Sequence, residues 1–307
     1  MVDRDAVVRA EERLVGRVRC TPVVEVERAV FGATVTLKLE LLQHTGSFKP
    51  RGAFNRVLAG TVPDTGLVAA SGGNAGLAVA HVARELGHSA EIYVPESSPA
   101  TKVDRLRALG ATVHVTGAFY ADAYRASMCR AEQTGAMVVH AYGQAEVMAG
   151  NGTLGLELER QVPTLDTVLV AVGGGGLAAG VAAALEGRAR VVTVEPELIP
   201  TLHRALAAGR PVDVPVGGVA VDSLGATRTG DICLAVARRA GVTSVLVPDE
   251  AIVRTRRLLW QELRVAAEPG GATALAALLC GAYRPEPGER VVAVVCGGNT
   301  DPATLPG

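Results

Sequence analysis

The sequence predicts an α/β protein, because short runs rich in Val, Ala and Ile alternate with longer segments of helical periodicity almost to its end. Two helical segments have typical boundaries: residues 76–87 close on Gly87, and residues 99–110 open on Pro99 and close on Gly110. Strands that alternate with helices imply right-handed βαβ units and largely parallel sheets covered by helices on both faces.

Nine apolar runs are predicted to be strands. They are Thr34–Leu39, Leu67–Ala70, Ala90–Val94, Thr112–Val115, Met137–His140, Thr167–Val172, Val191–Val194, Ser244–Val247 and Val291–Val295. The stretch from Thr167 to Leu185 carries no charge and is as long as a membrane span, but four consecutive glycines interrupt it and acidic residues flank it. We interpret it as a buried strand, a glycine loop and a helix.

Composition argues against a nucleic-acid or membrane partner. The 30 basic residues nearly balance the 31 acidic ones, and only 3% of the 307 residues are aromatic, too few for a base-stacking surface. Five cysteines are scattered without a CxxC pair, and the charged N-terminus lacks an apolar signal core. Both features predict reduced thiols in a cytoplasmic protein.

The first candidate for chemistry is Lys49, which lies between the small-residue turn Thr45–Ser47 and Pro50, a residue suited to a first helical turn. A helix N-terminus and the neighbouring Phe48 both disfavour the ammonium form, and a neutral amine is what an imine-forming lysine needs. The same pattern also fits an ordinary surface lysine at a helix start.

Two glycine-rich turns directly follow predicted strands. Residues 71–76, Ser-Gly-Gly-Asn-Ala-Gly, expose backbone N–H groups suited to a carboxylate, although a simple capped turn has the same pattern. Residues 173–177 allow several N–H groups to converge on one phosphate. Because Glu195 ends the next strand, where a ribose-binding acid is expected, this loop alone also suggests a nicotinamide-dependent dehydrogenase. A third turn, Cys296–Asn299, follows the last strand and is consistent either with a buried structural thiol or with a thiol against a cofactor.

Taken in order, these motifs resemble those of fold-type-II pyridoxal-phosphate (PLP) enzymes, particularly the serine and threonine dehydratases (threonine ammonia-lyases). The similar segments include LKLELLQHTGSFKPRGA, SGGNAG, GGGGL and CGGN, together with AGNGTLGLEL, VAVDSLGATRTGD and AAEPGGATALAALLCGAY, and the similarity runs from about Cys20 to Asp301. The resemblance implies a fold like that of the tryptophan synthase β chain, with two three-layer αβα domains. Residues 1–40 and 143–307 would form the large PLP-binding domain and residues 41–142 the small one, with PLP between them.

The resemblance also implies a role for each motif residue. Lys49 would carry PLP as a Schiff base and act as the catalytic base, with Phe48 packed beside the ring. Asn74 would hold the ring 3-oxygen, and Cys296 would face the pyridine nitrogen. The phosphate would be bound by Gly173, Gly174, Gly175, Gly176 and Leu177, and the substrate carboxylate by Ser71, Gly72, Gly73, Asn74 and Ala75.

The implied reaction is α,β-elimination of water from L-serine or L-threonine, which yields a 2-oxo acid and ammonia. Serine racemases of this family carry a serine at the position of Gly72, so the glycine disfavours racemisation. The alternatives are a hydroxyaspartate dehydratase, a serine racemase or a β-replacement enzyme and, from another class, the dehydrogenase. Asp222 lies where relatives often hold a cation, but we interpret it as a solvated loop residue and predict no metal site.

Two further expectations concern the whole molecule. The resemblance implies a homodimer. Six residues follow Asp301, so we do not expect the C-terminal regulatory domain of biosynthetic threonine dehydratases.

Overall fold

A computed structural model describes residues 1–305, and in it two separate sheets form, each surrounded by helices. The strands are β1 Val23–Val26, β2 Val35–Lys38, β3 Leu67–Ala70, β4 Ala90–Val94, β5 Thr112–Val115, β6 Met137–Val138, β7 Thr167–Ala171, β8 Arg190–Pro196, β9 Thr243–Val247 and β10 Val291–Val294. The six-stranded sheet has the order β1-β2-β10-β7-β8-β9, and the four-stranded sheet has the order β5-β4-β3-β6.

Thirteen α-helices lie within the described residues. They are α1 Arg4–Leu14, α2 Arg28–Phe31, α3 Lys49–Leu58, α4 Asn74–Leu86, α5 Ala100–Ala108, α6 Tyr120–Thr134, α7 Ala145–Gln161, α8 Gly176–Leu185, α9 Thr201–Ala208, α10 Val221–Leu224, α11 Asp231–Arg239, α12 Asp249–Leu263 and α13 Pro269–Cys280. Helices α8 and α13 contact strands β7 and β8, whereas α4 and α6 contact β3 and β4. Each sheet is therefore packed against helices, as the alternating pattern predicted.

The pairing confirms the predicted α/β class with largely parallel sheets. Every neighbouring pair of strands is parallel except β1 and β2, which run antiparallel. All nine predicted strands are present, but the sequence analysis missed β1. This edge strand pairs with β2 alone, and Val24 and Glu25 at its centre are exposed, so it lacks the buried apolar run that marks the other strands.

The uncharged stretch from Thr167 to Leu185 is a strand, a loop and a helix, as predicted. Strand β7 is fully buried at the centre of the larger sheet, and every residue of α8 is buried as well. Within residues 1–305 there is no helix whose length and apolar content would let it cross a bilayer.

The predicted end of the helix before β4 and the predicted start of the helix after it are also confirmed. Helix α4 ends at Gly87, whose φ of 75° supplies the left-handed stop, and α5 begins directly after Pro99. The strands that precede the motif loops, β2, β3, β7 and β10, all end in the same region, so their carboxyl ends position the candidate site.

Candidate active site

The loop that carries Lys49 is hydrogen-bonded to the loop that follows β10. The backbone N–H of Phe48 donates to the carbonyl of Cys296 at 3.1 Å, and Ser47 forms an isolated bridge with Gly297. The N–H of Gly298 donates to Gly46 at 2.9 Å. The first and last sequence motifs, separated by about 250 residues, are thereby held side by side.

Lys49 is the first residue of α3, and protein atoms surround its amine. The Nζ atom donates a hydrogen bond to the carbonyl of Ala141 at 2.8 Å and lies 4.9 Å from the centre of the Phe48 ring. Burial lowers the pKa of Lys49 from 10.5 to about 8. A neutral, nucleophilic fraction of the amine therefore exists near physiological pH, as the sequence pattern predicted.

The turn Gly173–Gly176 joins β7 to the N-terminus of α8, with Gly175 at a φ of 93°. A Cβ on Gly174 would collide with the ring of Tyr142, and one on Gly176 would lie 2.9 Å from the Tyr142 Cβ. Only glycines fit this approach, which presents backbone N–H groups at the start of a helix. Leu177 is buried in the first turn of α8.

The turn after β3 forms a second wall of the site. Ser71, Gly72, Gly73, Asn74 and Ala75 are all partly exposed, and the N–H of Gly73 donates to the Ser71 hydroxyl at 3.2 Å. Helix α4, which has 13 residues, begins at Asn74. The turn therefore presents the N-terminus of this helix to the cleft between Gly72–Asn74 and Glu268.

A buried carboxyl, Glu268, lies in the site and was missed by the sequence analysis. Its Oε1 accepts a hydrogen bond from the Asn74 amide at 2.6 Å, and Asn299 in turn donates to the Asn74 Oδ1 at 2.7 Å. Burial raises the pKa of Glu268 to about 7. The available signal was a glutamate directly before the Pro-Gly-Gly helix start at residues 269–271, which places a carboxyl at a helix N-terminus.

Cys296 is buried behind the lysine loop. Its Sγ donates to the carbonyl of Gly270 at 3.4 Å, and its exposed fraction is 4%. Burial and the neighbouring Glu268 carboxyl raise the pKa of this thiol well above its ordinary value. Cys296 is therefore a neutral thiol at physiological pH.

The two acids that the sequence suggested as a ribose or a cation ligand, Glu195 and Asp222, make other contacts. Glu195 is fully buried, and its carboxylate accepts from the backbone N–H groups of Leu202 and His203 at the start of α9 and from the Ser244 hydroxyl. It is not free to bind a ribose, which removes the main support for a dehydrogenase. Asp222 is exposed and pairs with Lys102. Residues 1–305 contain no group of three metal-binding side chains.

The site thus combines a half-buried lysine with a lowered pKa, a four-glycine turn at a helix start, and a neutral thiol. These are groups that an enzyme using an aldehyde cofactor with a phosphate needs. The sequence matches the family described as pyridoxal-phosphate dependent enzyme over residues 15–297, and the chain belongs to that family. It is a PLP-dependent lyase, as predicted.

Relatives with this architecture share much of the sequence. The chain is 36% identical to an L-threonine ammonia-lyase of Thermotoga maritima, covering 89% of this chain and 69% of that protein. It is also 36% identical to the phenylserine dehydratase of Ralstonia pickettii, covering 99% and 95%. The structure of maize serine racemase superimposes with a TM-score of 0.93 at 33% identity, covering 99% and 95%.

The residues present fit PLP. The hydroxyls of Thr45 and Ser47, beside the lysine, are buried without a hydrogen-bond partner, so the loop retains polar atoms for a ligand. Side chains at Gly174 and Gly176 would collide with Tyr142, so the turn that presents N–H groups at the start of α8 depends on glycine. The amine of Lys49, the glycine turn and the thiol of Cys296 would meet the aldehyde, the phosphate and the pyridine nitrogen of PLP.

Proposed function

We propose that this enzyme eliminates water from L-serine and L-threonine and releases pyruvate or 2-oxobutanoate together with ammonia. The observation that carries the proposal is the half-buried amine of Lys49, with its pKa of about 8, at the edge of the sheet where the neighbouring parallel strands β2, β10 and β7 end. The similarity to an L-threonine ammonia-lyase and to a phenylserine dehydratase supports dehydration as the reaction type.

Each motif is assigned one part of the cofactor or substrate. Lys49 would hold PLP covalently beside Phe48, the Gly173–Leu177 backbone would bind its phosphate, and Cys296 would face the pyridine nitrogen. Asn74, whose amide is oriented by Glu268 and Asn299, would hold the ring 3-oxygen. The turn 71–75 binds the substrate carboxylate through N–H groups at the start of α4.

When bound, PLP supplies an electron sink for the charge left at the substrate α-carbon. Cys296 would face the pyridine nitrogen as a neutral thiol, which would not keep that nitrogen protonated as a carboxylate would. The weaker sink would favour loss of the β-hydroxyl over transamination.

Lys49 has two successive roles in this scheme. Its Nζ would hold the cofactor before substrate binds, and the freed amine would then accept the α-proton of the substrate, which would leave with the β-hydroxyl as water. Acid–base catalysis by one positioned group accelerates a reaction by about 10²–10⁴-fold. Protein atoms around Nζ exclude water from the transfer, since Phe48 and the Ala141 carbonyl both contact the amine.

Serine racemisation is the second candidate, since the maize racemase has the same fold. Gly72 argues against it, because a residue without a side chain offers no proton donor on the face of the substrate opposite Lys49. Incubation with L-serine should therefore give pyruvate and ammonia with little D-serine. Chiral chromatography that finds D-serine forming as fast as pyruvate would contradict the dehydratase assignment.

The test of the proposal is Lys49→Ala, which we expect to abolish 2-oxo acid formation from L-serine and L-threonine. Borohydride reduction of the wild-type protein, followed by peptide mapping, should place a pyridoxyl group on Lys49. Lys38 and Lys102 are the two other lysines of the chain and provide an internal control, since both should remain unlabelled. A variant that keeps near-normal turnover would overturn the assignment.

We further propose a homodimer that acts in amino-acid metabolism in the cytoplasm and is divided near residues 40 and 142 into a large and a small domain. The five cysteines are unpaired in the structure, which supports a reducing compartment. The homodimer and the domain boundaries rest on the resemblance to the dehydratases. Sedimentation of the purified protein tests the first, and limited proteolysis tests the second.

A further inference from the structure

The turn formed by residues 140–143 lies between strand β6 and helix α7 and contacts two parts of the site. The carbonyl of Ala141 accepts the hydrogen bond of the Lys49 amine at 2.8 Å. The ring of the next residue, Tyr142, packs so closely on the glycine turn after β7 that a Cβ on Gly174 would collide with it. The conformation of this one turn therefore affects both the lysine and the glycine turn.

The Lys49 amine depends on this turn for its direction. Within residues 1–305, the Ala141 carbonyl is the one hydrogen-bond acceptor that Nζ contacts. The four-carbon stem of a lysine is flexible, so a hydrogen bond at Nζ determines where the amine points. Phe48 lies beside the amine, but the face of a ring does not select one direction as a carbonyl oxygen does.

The imidazole of His140 holds the turn closed. Its Nδ1 accepts hydrogen bonds from the backbone N–H groups of Tyr142 at 3.3 Å and of Gly143 at 2.9 Å. The backbone N–H of His140 itself donates to the Gln144 side chain at 2.9 Å, so the start of the turn is fixed independently. A Cβ on Gly143 would lie only 3.1 Å from Nδ1. The ring thus acts as an asparagine side chain does in a turn where its oxygen accepts from the N–H two residues on.

These contacts require one protonation state of the ring. Both partners of Nδ1 are N–H donors, so Nδ1 is unprotonated and the ring proton lies on Nε2. An imidazolium, which carries a hydrogen on Nδ1, would lose both bonds. Burial and the cationic Lys49 lower the pKa of His140 below its ordinary 6.5, so the neutral ring prevails at physiological pH. The rings of Tyr124 and Tyr142 pack edge-on against the imidazole and hold its plane.

We propose that His140 is a positioning residue, whose Nδ1 holds the turn that presents the Ala141 carbonyl to the free amine of Lys49. This inference rests on the proposed function, in which that amine attacks the cofactor aldehyde and later accepts the α-proton of the substrate. Without the acceptor at Nδ1, the N–H groups of Tyr142 and Gly143 lose their partner. The turn then relaxes, and the carbonyl no longer holds the amine in one place.

The test compares two substitutions of His140 that differ in the acceptor. His140→Phe keeps an aromatic ring between the two neighbouring tyrosines but offers no acceptor. His140→Asn keeps an acceptor at the position of Nδ1 and suits this kind of turn. His114→Phe is the matched control, because the His114 ring also packs on a tyrosine, Tyr93, but its nitrogen contacts Glu91 rather than a turn of the site.

Turnover should fall without a matching change in substrate binding. We expect His140→Phe to lower kcat for L-serine and L-threonine roughly tenfold to a hundredfold, because a small misplacement of a reacting group costs about that much. KM should change far less, since the amine acts in proton transfer. The isotope effect with α-deuterated L-serine should rise, because proton transfer becomes the slower step. His140→Asn should recover most of the loss, and His114→Phe should match the wild type.

A second measurement examines the amine before any substrate is present. Apoenzyme mixed with PLP should develop the absorption of the covalent adduct as the Lys49 amine attacks the aldehyde. We expect this step to slow roughly tenfold in His140→Phe and to keep its rate in His140→Asn. Urea denaturation of each apoenzyme shows whether the variant is folded.

The wild-type protein provides a test that needs no stable variant. NMR of the protein labelled with ¹⁵N-histidine should show the proton of His140 on Nε2, with the signal assigned by its loss in His140→Asn. A proton on Nδ1 at neutral pH would overturn the inference.

The outcomes also separate this inference from the proposed function. If Lys49→Ala keeps near-normal turnover, the proposed function itself is wrong. If Lys49→Ala is inactive but folded His140→Phe matches the wild type, the inference alone is overturned. An equal loss in His140→Asn and His140→Phe, or a loss confined to KM, overturns it as well.

Discussion

The charged residues on the two sides of Lys49 differ in their access to water. Beneath the lysine helix lies a buried ion cluster, in which Arg51 donates to both Glu40 and Glu157, and Lys38 also pairs with Glu157. All four residues are at most 6% exposed. Although burial alone raises the pKa of Glu157, the neighbouring cations lower it below its ordinary value, so this carboxyl remains ionised.

Two pairs at the mouth of the cleft beside Gly72–Asn74 are in contact with water instead. They are Lys102 with Asp222 and Arg105 with Asn299, and we call them the cleft-mouth pairs. The Asp222 side chain is 72% exposed, and Lys102 is 29% exposed. Charges in water attract each other weakly, whereas a charge left alone in a protein interior is strongly unfavourable. The buried cluster therefore fixes the start of α3, and hence Lys49, while the cleft-mouth pairs can exchange partners with a ligand.

The largest effect is expected when the buried cluster is broken. Arg51→Met keeps an unbranched side chain but leaves the carboxylates of Glu40 and Glu157 without their shared cation. We expect the free energy of unfolding to fall by about 3–5 kcal/mol, measured by urea denaturation with circular dichroism. Arg107→Met is the exposed control. A loss below about 1 kcal/mol would show that burial does not distinguish the two regions.

A single buried carboxyl should give an intermediate effect that depends on pH. The folded-state pKa of Glu268 is about 7, above its ordinary 4.5, so the folded protein holds a proton that the unfolded chain releases. Stability from this group is therefore lost as pH rises from about 4.5 through about 7. Between pH 5 and pH 8 we expect Glu268 to lower the free energy of unfolding by about 2–3 kcal/mol.

Glu268→Gln, which keeps an acceptor for Asn74, should remove this pH dependence. Urea denaturation of both proteins at pH 5 and pH 8 measures it. Parallel pH profiles of the two proteins would mean that Glu268 titrates at its ordinary pKa.

The smallest effect is expected at the cleft mouth. Asp222→Asn removes the charge that Lys102 contacts, and exposed pairs contribute only about 0–1 kcal/mol to stability. The change in the free energy of unfolding should stay below about 1 kcal/mol and shrink further at high salt. A loss as large as that of Arg51→Met would erase the distinction between the two regions.

Local patterns in the sequence account for much of the site. Lys49, the Gly173–Gly176 turn and Cys296 could be selected because each directly follows a strand or opens a helix, and such positions are determined by neighbouring residues. Glu268 could not be selected in this way. Its raised pKa depends on burial and on Asn74, which lies 194 residues away in the chain.

The sequence by itself determined the α/β class, nine of the ten strands and the family, because the repeating apolar runs and glycine turns are local signals that tertiary packing did not override. Only the tertiary structure decided which polar residues share an environment. In the fold, Glu195 accepts hydrogen bonds from the N-terminus of α9 and does not line a cleft. Arg105 contacts the neutral amide of Asn299 at the mouth of the cleft rather than a carboxylate. The physical reason is that desolvation and hydrogen-bond partners depend on contacts between distant segments, which no local pattern encodes.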